Sequence, residues 1–495
     1  MIMSEENKDT VIVGFEKVPL KSEREERRKK RRQVFLTIAL CLLFLVIGFG
    51  GGSLFMYKVH PINKTDTANT FGEIEGLLGK YWMYAKDYDN LQEELENKAF
   101  YGMTSFKEDP YTTYMSQEEL QNFASSINMD YVGIGVVYSM QNGKPVIQRV
   151  FPKSPAEKAG LKAGDIIDKL DNLSISGYSS DEIKELVLGE KGTKIVVSVI
   201  RNNANFEFSV IRDSIDSSVY CYAKDNYIVM ELSSFGNNTA KECMNYLDQY
   251  SNYDRIIIDL RSNTGGYQTS VKEIAGLFIG NNQVYLRQKN SDGVETADLT
   301  VCEKTYDNLK KYVLIVNGET ASAAEVFAIC LKEQLEDVTI VGEKTYGKGV
   351  IQSTNYLLNG GVLKFTSYNW YSPNGVSIQN EGIKPDIEVK LSDLSYEYYI
   401  EMSEDEEYKY DSVSTITAIC EKALLLLGYD VDRQDGYFDL SFEKALNSYK
   451  THNDLKVDGT LDLDTYSSII SSAIYCLGLE ENDYQFIKAV ELINE

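Results

Sequence analysis

The pattern of hydrophobic and polar residues changes several times along this chain. The first apolar segment, QVFLTIALCLLFLVIGFGGGSLFMYKV, has no charged residue from Gln33 to Tyr57 and follows the basic run RRKKRR. A helix of that length spans a bilayer. Because basic residues stay on the cytoplasmic side, we expect residues 1–32 in the cytoplasm, a transmembrane helix at 33–57 and the remainder outside the cell membrane. A cleaved signal peptide fits less well, since no A-x-A-like site follows the segment.

Residues 68–128 and 129–212 differ in the spacing of their hydrophobic residues. Residues 68–128 are helical in pattern and are interrupted by EDPYTTYM, where Pro110 ends the first helical stretch. Residues 129–212 change to short β-rich runs such as YVGIGVVYS, KPVIQRVF and TKIVVSVIRN, with DEIKELVL as a helix before the last. The pattern predicts a helical region followed by a compact β domain.

The second half reads as an α/β core and a small helical end. In residues 213–395, apolar strands such as RIIIDL and YVLIVN alternate with helical stretches such as ASAAEVFAICLKEQL. After a linker rich in Glu, Asp and Tyr, residues 411–475 form a mostly helical unit and 476–495 a C-terminal helix. The predicted fold class is multidomain α+β: transmembrane helix, helical region, β-sandwich or barrel, α/β core and small helical domain.

Composition narrows the functional classes. A chain of 495 residues exceeds what a single core fills, and a net charge of −25 argues against nucleic acid as a partner. The seven cysteines form no C-x-x-C pair, which excludes a typical zinc site or disulfide scaffold. The segment DVDRQDG is no calcium loop, because its glycine stands at position seven rather than six. We therefore predict no metal and no cofactor.

Ser322 raises the question of catalysis. In NGETASAAEVFA it follows an apolar strand and precedes a helix, whose N-terminus stabilises developing negative charge. The only two histidines, His60 and His452, lie outside this segment, so a Ser-His-Asp triad within it is excluded. The motif is not G-x-S-x-G, and a serine before a helix is more often an N-cap. This stretch alone does not establish a nucleophile.

A lysine can replace the missing histidine if burial lowers its pKa, because a neutral amine accepts a proton. Lys348 lies between two glycines in EKTYGKGVIQS, and in an extended strand it shares a face with Gln352. The glutamine amide could orient the amine without protonating it. An isolated G-K-G is more often a surface turn, and the Gly265-Gly266 pair in DLRSNTGG fits either an oxyanion site or a plain strand-to-helix turn.

Taken together, DLRSNTGG, ETASAAEVFA, GEKTYGKGVIQ and GVLKFTSYNWYSPNGVSIQNEGIKPDIEV closely resemble the carboxyl-terminal processing proteases, the Ser-Lys peptidases of family S41. The resemblance implies that Ser322 is the nucleophile, Lys348 the general base and Gln352 its orienting partner. It also implies an oxyanion hole made by the backbone amides of Gly265, Gly266 and Ala323.

Two further regions extend the resemblance. YVGIGV and SPAEKAGLKAGDIIDKLD resemble the carboxylate-binding loop and signature turn of the PDZ domain that precedes the family's catalytic core. This implies capture of a chain-terminal carboxylate by backbone amides, with the neighbouring strand pairing with the peptide. PDZ gating of the protease is the corresponding hypothesis, and the helical region at 68–128 implies a homodimer. The predicted loop residues are Val132, Gly133, Ile134 and Gly135.

The unit at 411–475 is similar to the small helical peptidoglycan-binding domain of cell-wall enzymes. Leu424 to Leu427 and two Asp-Gly turns match that pattern. It departs from it at Phe438-Asp439 and Tyr449-Lys450, where such domains read F-G and F-Q. The fold is therefore expected, whereas binding of cell-wall glycan stays open.

These observations predict a membrane-anchored serine endopeptidase that cleaves extracytoplasmic proteins recognised through their C-terminal tails. A non-catalytic membrane or cell-wall adaptor is the main alternative, but all three catalytic side chains are retained. An esterase or amidase would use the same chemistry, although a tail-binding domain favours protein substrates. In related bacteria, proteins of this layout include signalling proteases of spore formation, which implies a role in signal transduction.

Overall fold

The computed structural model describes residues 64–141, 144–201, 204–215, 217–392, 394, 402–403 and 405–495. They belong to two units, Met1–Ala99 and Phe100–Glu495. The predicted cytoplasmic tail and the predicted span at 33–57 lie outside the described residues. Within the described ranges, the structure contains no helix that is both long and apolar enough to cross a bilayer.

The region predicted as helical is largely helical, with one short strand where EDPYTTYM interrupts it. Helix α3 begins with a capping box, in which Ser116 and Glu119 each accept a hydrogen bond from the other's backbone amide. The elements are α1 (Lys64–Tyr81), a 3₁₀ turn (Ala85–Asp87), α2 (Leu91–Thr104), β1 (Thr113–Met115) and α3 (Gln117–Asn128).

The predicted β domain contains an antiparallel sheet in the order β3-β4-β5-β7-β8, and β2 pairs separately with β9. Alternation along β7 places Ile195, Val197 and Val199 in the core of this domain. The strands are β2 (Tyr131–Gly133), β3 (Val136–Gln141), β4 (Lys144–Val150), β5 (Ile166–Leu170), β6 (Leu173–Ser174), β7 (Lys194–Arg201), β8 (Ala204–Ile211) and β9 (Asp213–Ile215), with helices α4 (Pro155–Ala159) and α5 (Ser180–Val187).

The α/β core is built on a central sheet in the order β10-β11-β12-β15-β16-β19, parallel except for β10. Its inner strands are mostly apolar because both faces are covered. On one face Ile256 and Ile258 pack with helices α6 to α8. The elements are β10 (Val219–Lys224), β11 (Tyr227–Leu232), α6 (Thr239–Gln249), β12 (Arg255–Asp259), α7 (Gln268–Ile279), β15 (Lys311–Val316), α8 (Ala323–Gln334), β16 (Val338–Gly342) and β19 (Ile387–Glu388).

A second, antiparallel sheet in the order β1-β18-β13-β14 carries β17 as an additional partner of β18. In this sheet Gln352 lies opposite Thr366 and Thr354 lies opposite Lys364. The strands are β13 (Val284–Asn290), β14 (Glu295–Leu299), β17 (Val350–Tyr356) and β18 (Val362–Tyr371).

The C-terminal helical unit packs against the β domain. Its core includes Phe442 and Tyr466 and continues into Val146 and Ile166 of strands β4 and β5. The hydroxyl of Ser471 also donates a hydrogen bond to the Gly164 carbonyl. The helices are α9 (Thr415–Leu426), α10 (Leu440–His452) and α11 (Leu463–Leu477), followed by a 3₁₀ turn (Glu480–Asn482).

The last helix, α12 (Tyr484–Asn494), covers the second face of the central sheet. Phe486, Ala489 and Ile493 pack there with Ile257 and Val313, which alternate with the residues that face α6 to α8. The sequence predicts this helix but not its partner.

Replacing Phe486 by alanine tests the packing of α12. We expect the free energy of unfolding to fall by about 3–5 kcal/mol, because the ring leaves a cavity against the sheet. Tyr484→Ala, on an exposed position of the same helix, should cost about 0.5 kcal/mol or less. Urea unfolding followed by tryptophan fluorescence measures both. Equal losses would contradict the described packing.

Candidate active site

Ser322 occupies a strained position immediately before α8. Its backbone angles are φ 56° and ψ −117°, a conformation that is rare for any residue except glycine and persists only where surrounding contacts enforce it. The Ser322 amide donates to Glu325 Oε2 at 2.8 Å, and the Ala321 amide donates to the Asn263 carbonyl at 2.9 Å. Ser322 lines a cavity of about 940 Å³.

The three predicted oxyanion donors differ in availability. Gly265 donates its amide to Asn263 Oδ1 at 2.9 Å, so that group is already bonded. The absence of a side chain at Gly265 allows the close approach of the serine turn, since a Cβ there would lie 3.0 Å from both Ser322 Cβ and the Ala323 nitrogen. The amides of Gly266 and Ala323 donate no hydrogen bond within the described residues. In this part of the chain, two N–H groups without a partner therefore line the cavity that contains Ser322.

Lys348 lines the same cavity in a half-buried position. Burial is the main cause that lowers the pKa of Lys348 to about 8, and the charge of Lys364 lowers it further, whereas Glu325 and Asp109 act in the opposite direction. Its Nζ lies 4.5 Å from the centre of the Tyr111 ring. Within the described residues this amine makes no hydrogen bond to Ser322 or Gln352. Lys348 and Ser322 thus share a cavity without a hydrogen bond between their side chains.

Gln352 also lines the cavity, and its amide nitrogen is bonded away from Lys348. Its Nε2 donates to Thr366 Oγ1 at 3.4 Å, and that hydroxyl donates to Asp109 Oδ1 at 2.9 Å. The second oxygen of Asp109 accepts from Thr112 Oγ1 at 2.5 Å. These hydrogen bonds fix the amide, and within the described residues no group donates to Gln352 Oε1, which is left available as an acceptor. Sequence reasoning missed Asp109, although an acidic residue before Pro110 in EDPYTTYM was a visible signal.

Glu325 is the second residue that sequence reasoning missed. Its side chain is completely buried and accepts four hydrogen bonds, two of them from the amides of Ser322 and Lys348 at 2.8 and 2.9 Å. The other two come from the Gly347 amide at 2.7 Å and the Thr345 hydroxyl at 2.5 Å. One carboxylate thus joins the serine turn to the lysine loop. The signal was a charged residue inside the otherwise apolar stretch ASAAEVFA.

The predicted carboxylate-binding loop divides into two parts. Val132 and Gly133 belong to β2 and pair with β9. Ile134 and Gly135 lie between β2 and β3, where their carbonyls accept from Ala156 and Phe151 at 2.8 and 3.0 Å. Their amides donate no hydrogen bond within the described part of the chain. Gly135 has φ 82°, and a Cβ there would lie 2.4 Å from Ser154 Cβ, so only glycine fits this turn.

Three segments match known family models. Residues 226–389 match "Peptidase family S41", residues 132–211 match "PDZ domain" and residues 418–469 match "Putative peptidoglycan binding domain". Among solved structures, a photosystem II D1 C-terminal processing protease is 23% identical and matches over 63% of this chain and 88% of that chain, with a TM-score of 0.40.

Two curated relatives match over most of their length. The carboxy-terminal processing protease CtpA of Bacillus subtilis (strain 168) is 32% identical over 410 residues, which cover 81% of this chain and 86% of that protein. A probable CtpA-like serine protease of Staphylococcus epidermidis (strain ATCC 12228 / FDA PCI 1200) is 29% identical over 454 residues, covering 90% of this chain and 91% of the relative. With similarity of this extent, the chain belongs to the carboxy-terminal processing proteases, the serine proteases of peptidase family S41.

Proposed function

We propose that this protein is a membrane-anchored endopeptidase that uses Ser322 and Lys348 to cleave extracytoplasmic proteins recognised through their C-terminal tails. The observation that carries the proposal is the common cavity, which Ser322, Lys348 and Gln352 line together with Gly266 and Ala323. The transmembrane helix at 33–57, a homodimer and glycan binding by residues 411–475 are parts of the same proposal that rest on sequence pattern and resemblance.

The proposed chemistry is acyl transfer through a lysine base. Neutral Lys348 takes the hydroxyl proton as Ser322 Oγ attacks the peptide carbonyl, and the resulting oxyanion is held by the free amides of Gly266 and Ala323. The C–N bond then breaks, and the Lys348 ammonium returns the proton to the leaving amine. Lys348 next deprotonates a water that attacks the ester, which releases the carboxylic acid and restores the serine hydroxyl.

Proton transfer from Ser322 requires the Lys348 amine to move away from the Tyr111 ring, since among the described residues no hydrogen bond joins this amine to Ser322. Gln352 Oε1 is placed to accept from the amine once it has moved, because Thr366 already occupies the amide nitrogen. A movement of the Lys348 side chain away from Tyr111 is therefore part of the proposal.

PDZ gating is supported by the walls of the cavity. Val137, Arg149 and Phe151 of the PDZ domain line it together with the catalytic side chains. A substrate tail bound to the free amides of Ile134 and Gly135 would extend along β3, the strand that carries Val137. Tail binding and peptide cleavage thus take place on adjoining surfaces.

Cleavage of an unstructured protein tests the Ser-Lys mechanism. With β-casein and a C-terminal peptide activator, we expect Ser322→Ala and Lys348→Arg each to reduce kcat by at least about 10³-fold. Arginine keeps the positive charge but cannot act as the base. Lys344→Arg, an exposed lysine in the same loop, serves as the matched control and should retain activity. Wild-type activity in Lys348→Arg would refute the mechanism, and an inert wild type would favour the adaptor alternative.

The pH profile of kcat/KM provides a separate test. Because the base must be neutral and its pKa is lowered to about 8, kcat/KM should rise about tenfold per pH unit below that value and become constant above it. An acid limb near pH 10, the ordinary range of a lysine, would show that the amine is not shielded as described.

Glu325→Gln examines the link between the two loops. The amide replaces one acceptor oxygen by a donor, so it faces N–H groups that it cannot satisfy, and we expect kcat to fall by about 10²-fold or more. Glu319→Gln, which alters an exposed glutamate at the cavity rim, is the matched control. Circular dichroism should show both variants folded, and full activity in Glu325→Gln would contradict the positioning role.

A further inference from the structure

A second lysine, Lys364, faces the cavity that contains Lys348. It lies in β18 opposite Thr354, two residues from the pair formed by Gln352 and Thr366. Because side chains alternate along a strand, Lys364 and Thr366 project from the same face of the sheet. Along this face, Lys364 and Lys348 therefore lie on opposite sides of the Gln352–Thr366 pair.

Both ammonium groups lie over aromatic rings. Lys364 Nζ is 4.7 Å from the centre of the Phe123 ring, and Lys348 Nζ is 4.5 Å from that of Tyr111. Within the described residues, no carboxylate oxygen lies within 4.0 Å of either nitrogen. Lys450, which is almost fully buried, shows the usual arrangement, with Asp458 at 2.8 Å. Lys348 and Lys364 are thus half-buried and hold their ammonium groups against aromatic rings rather than against carboxylates.

The charged groups around Lys348 come from several elements. Glu325 approaches from α8, Asp109 from the segment before β1 and Lys364 from β18, and the first two favour the charged amine. Tyr111 lies against the amine, and Tyr346 of the same loop is exposed. Glu325 and Asp109 each accept several hydrogen bonds. Lys364 is the cation that opposes them.

We propose that Lys364 is a positioning residue whose ammonium repels that of Lys348 across the shared cavity and thereby keeps the base neutral for the Ser322 proton. The inference rests on the proposed Ser-Lys reaction and deepens it. Burial lowers the pKa of Lys348, whereas two nearby carboxylates raise it. The positive charge of Lys364 shifts this balance toward the neutral amine. Phe123 holds the Lys364 ammonium in place, and unlike a carboxylate the ring does not neutralise the charge.

The pH profile of Lys364 variants in the full-length protein tests this role. Lys364→Met removes the charge and keeps an apolar stem of similar length, so the acid limb of kcat/KM should move up by about one pH unit. Activity near pH 7 should then fall about tenfold, while the plateau above pH 10 is retained. Lys364→Arg keeps the charge and should restore the wild-type position of the limb. Lys364→Gln serves as the neutral variant if methionine disturbs folding.

The outcomes separate this inference from the proposed function. If Lys348→Arg is inactive but the neutral Lys364 variants leave the limb in place, Lys364 does not act on the base and the inference is overturned. A lowered plateau without a shifted limb, in both the neutral and the arginine variants, would indicate a packing role and would also overturn it. If Lys348→Arg remains active, the Ser-Lys reaction itself fails.

Discussion

The fully buried carboxylate of Glu325 is the contact on which the geometry of the site depends. A charge removed from water is strongly destabilising unless hydrogen bonds replace the lost solvation. Here the replacement comes from the serine turn on one side and from the lysine loop on the other. The two loops are separated in sequence. Ser322 has a strained backbone and Lys348 stands between glycines, so neither loop is held by regular secondary structure of its own. The hydrogen bonds that solvate this one carboxylate therefore join the two loops.

The C-terminal region adds contacts that hold the surroundings of the site together. Arg261, in the turn that leads to Gly265, bonds to Asp259 and to Asp483, and Asp483 caps α12. That helix covers the central sheet on the face opposite α8, and the preceding unit packs on the PDZ strands. The C-terminal region thus contacts the catalytic core and the PDZ domain at once. A rotation of the PDZ domain must either carry α11 with it or open the contact between Ser471 and Gly164.

The sequence predicts those features that are encoded within short segments. Hydrophobic period predicts the helical region, the β domain and the α/β core, and the motifs bring Ser322, Lys348 and Gln352 to one cavity. What it misses depends on contacts between distant segments. The bonded state of the Gly265 amide is set by the Asn263 side chain, and Glu325 and Asp109 acquire roles only through loops that fold against them. The three-residue strand β1 is too short for any period, and the amphipathic pattern of α12 does not identify the sheet face that it covers.

Several features of the site are unfavourable when considered singly. They include a serine with positive φ, a buried carboxylate and two lysines that, among the described residues, have no carboxylate oxygen within 4.0 Å. Ser322 and Glu325 adjoin the apolar core between the central sheet and helices α6 to α8, and Trp370 of that core donates a hydrogen bond to the Lys348 carbonyl. The same apolar surroundings explain the electrostatics, since limited access of water lowers the pKa of Lys348 and strengthens every charge that acts on it. Burial against this core therefore contributes both to the stability of the site and to its chemistry.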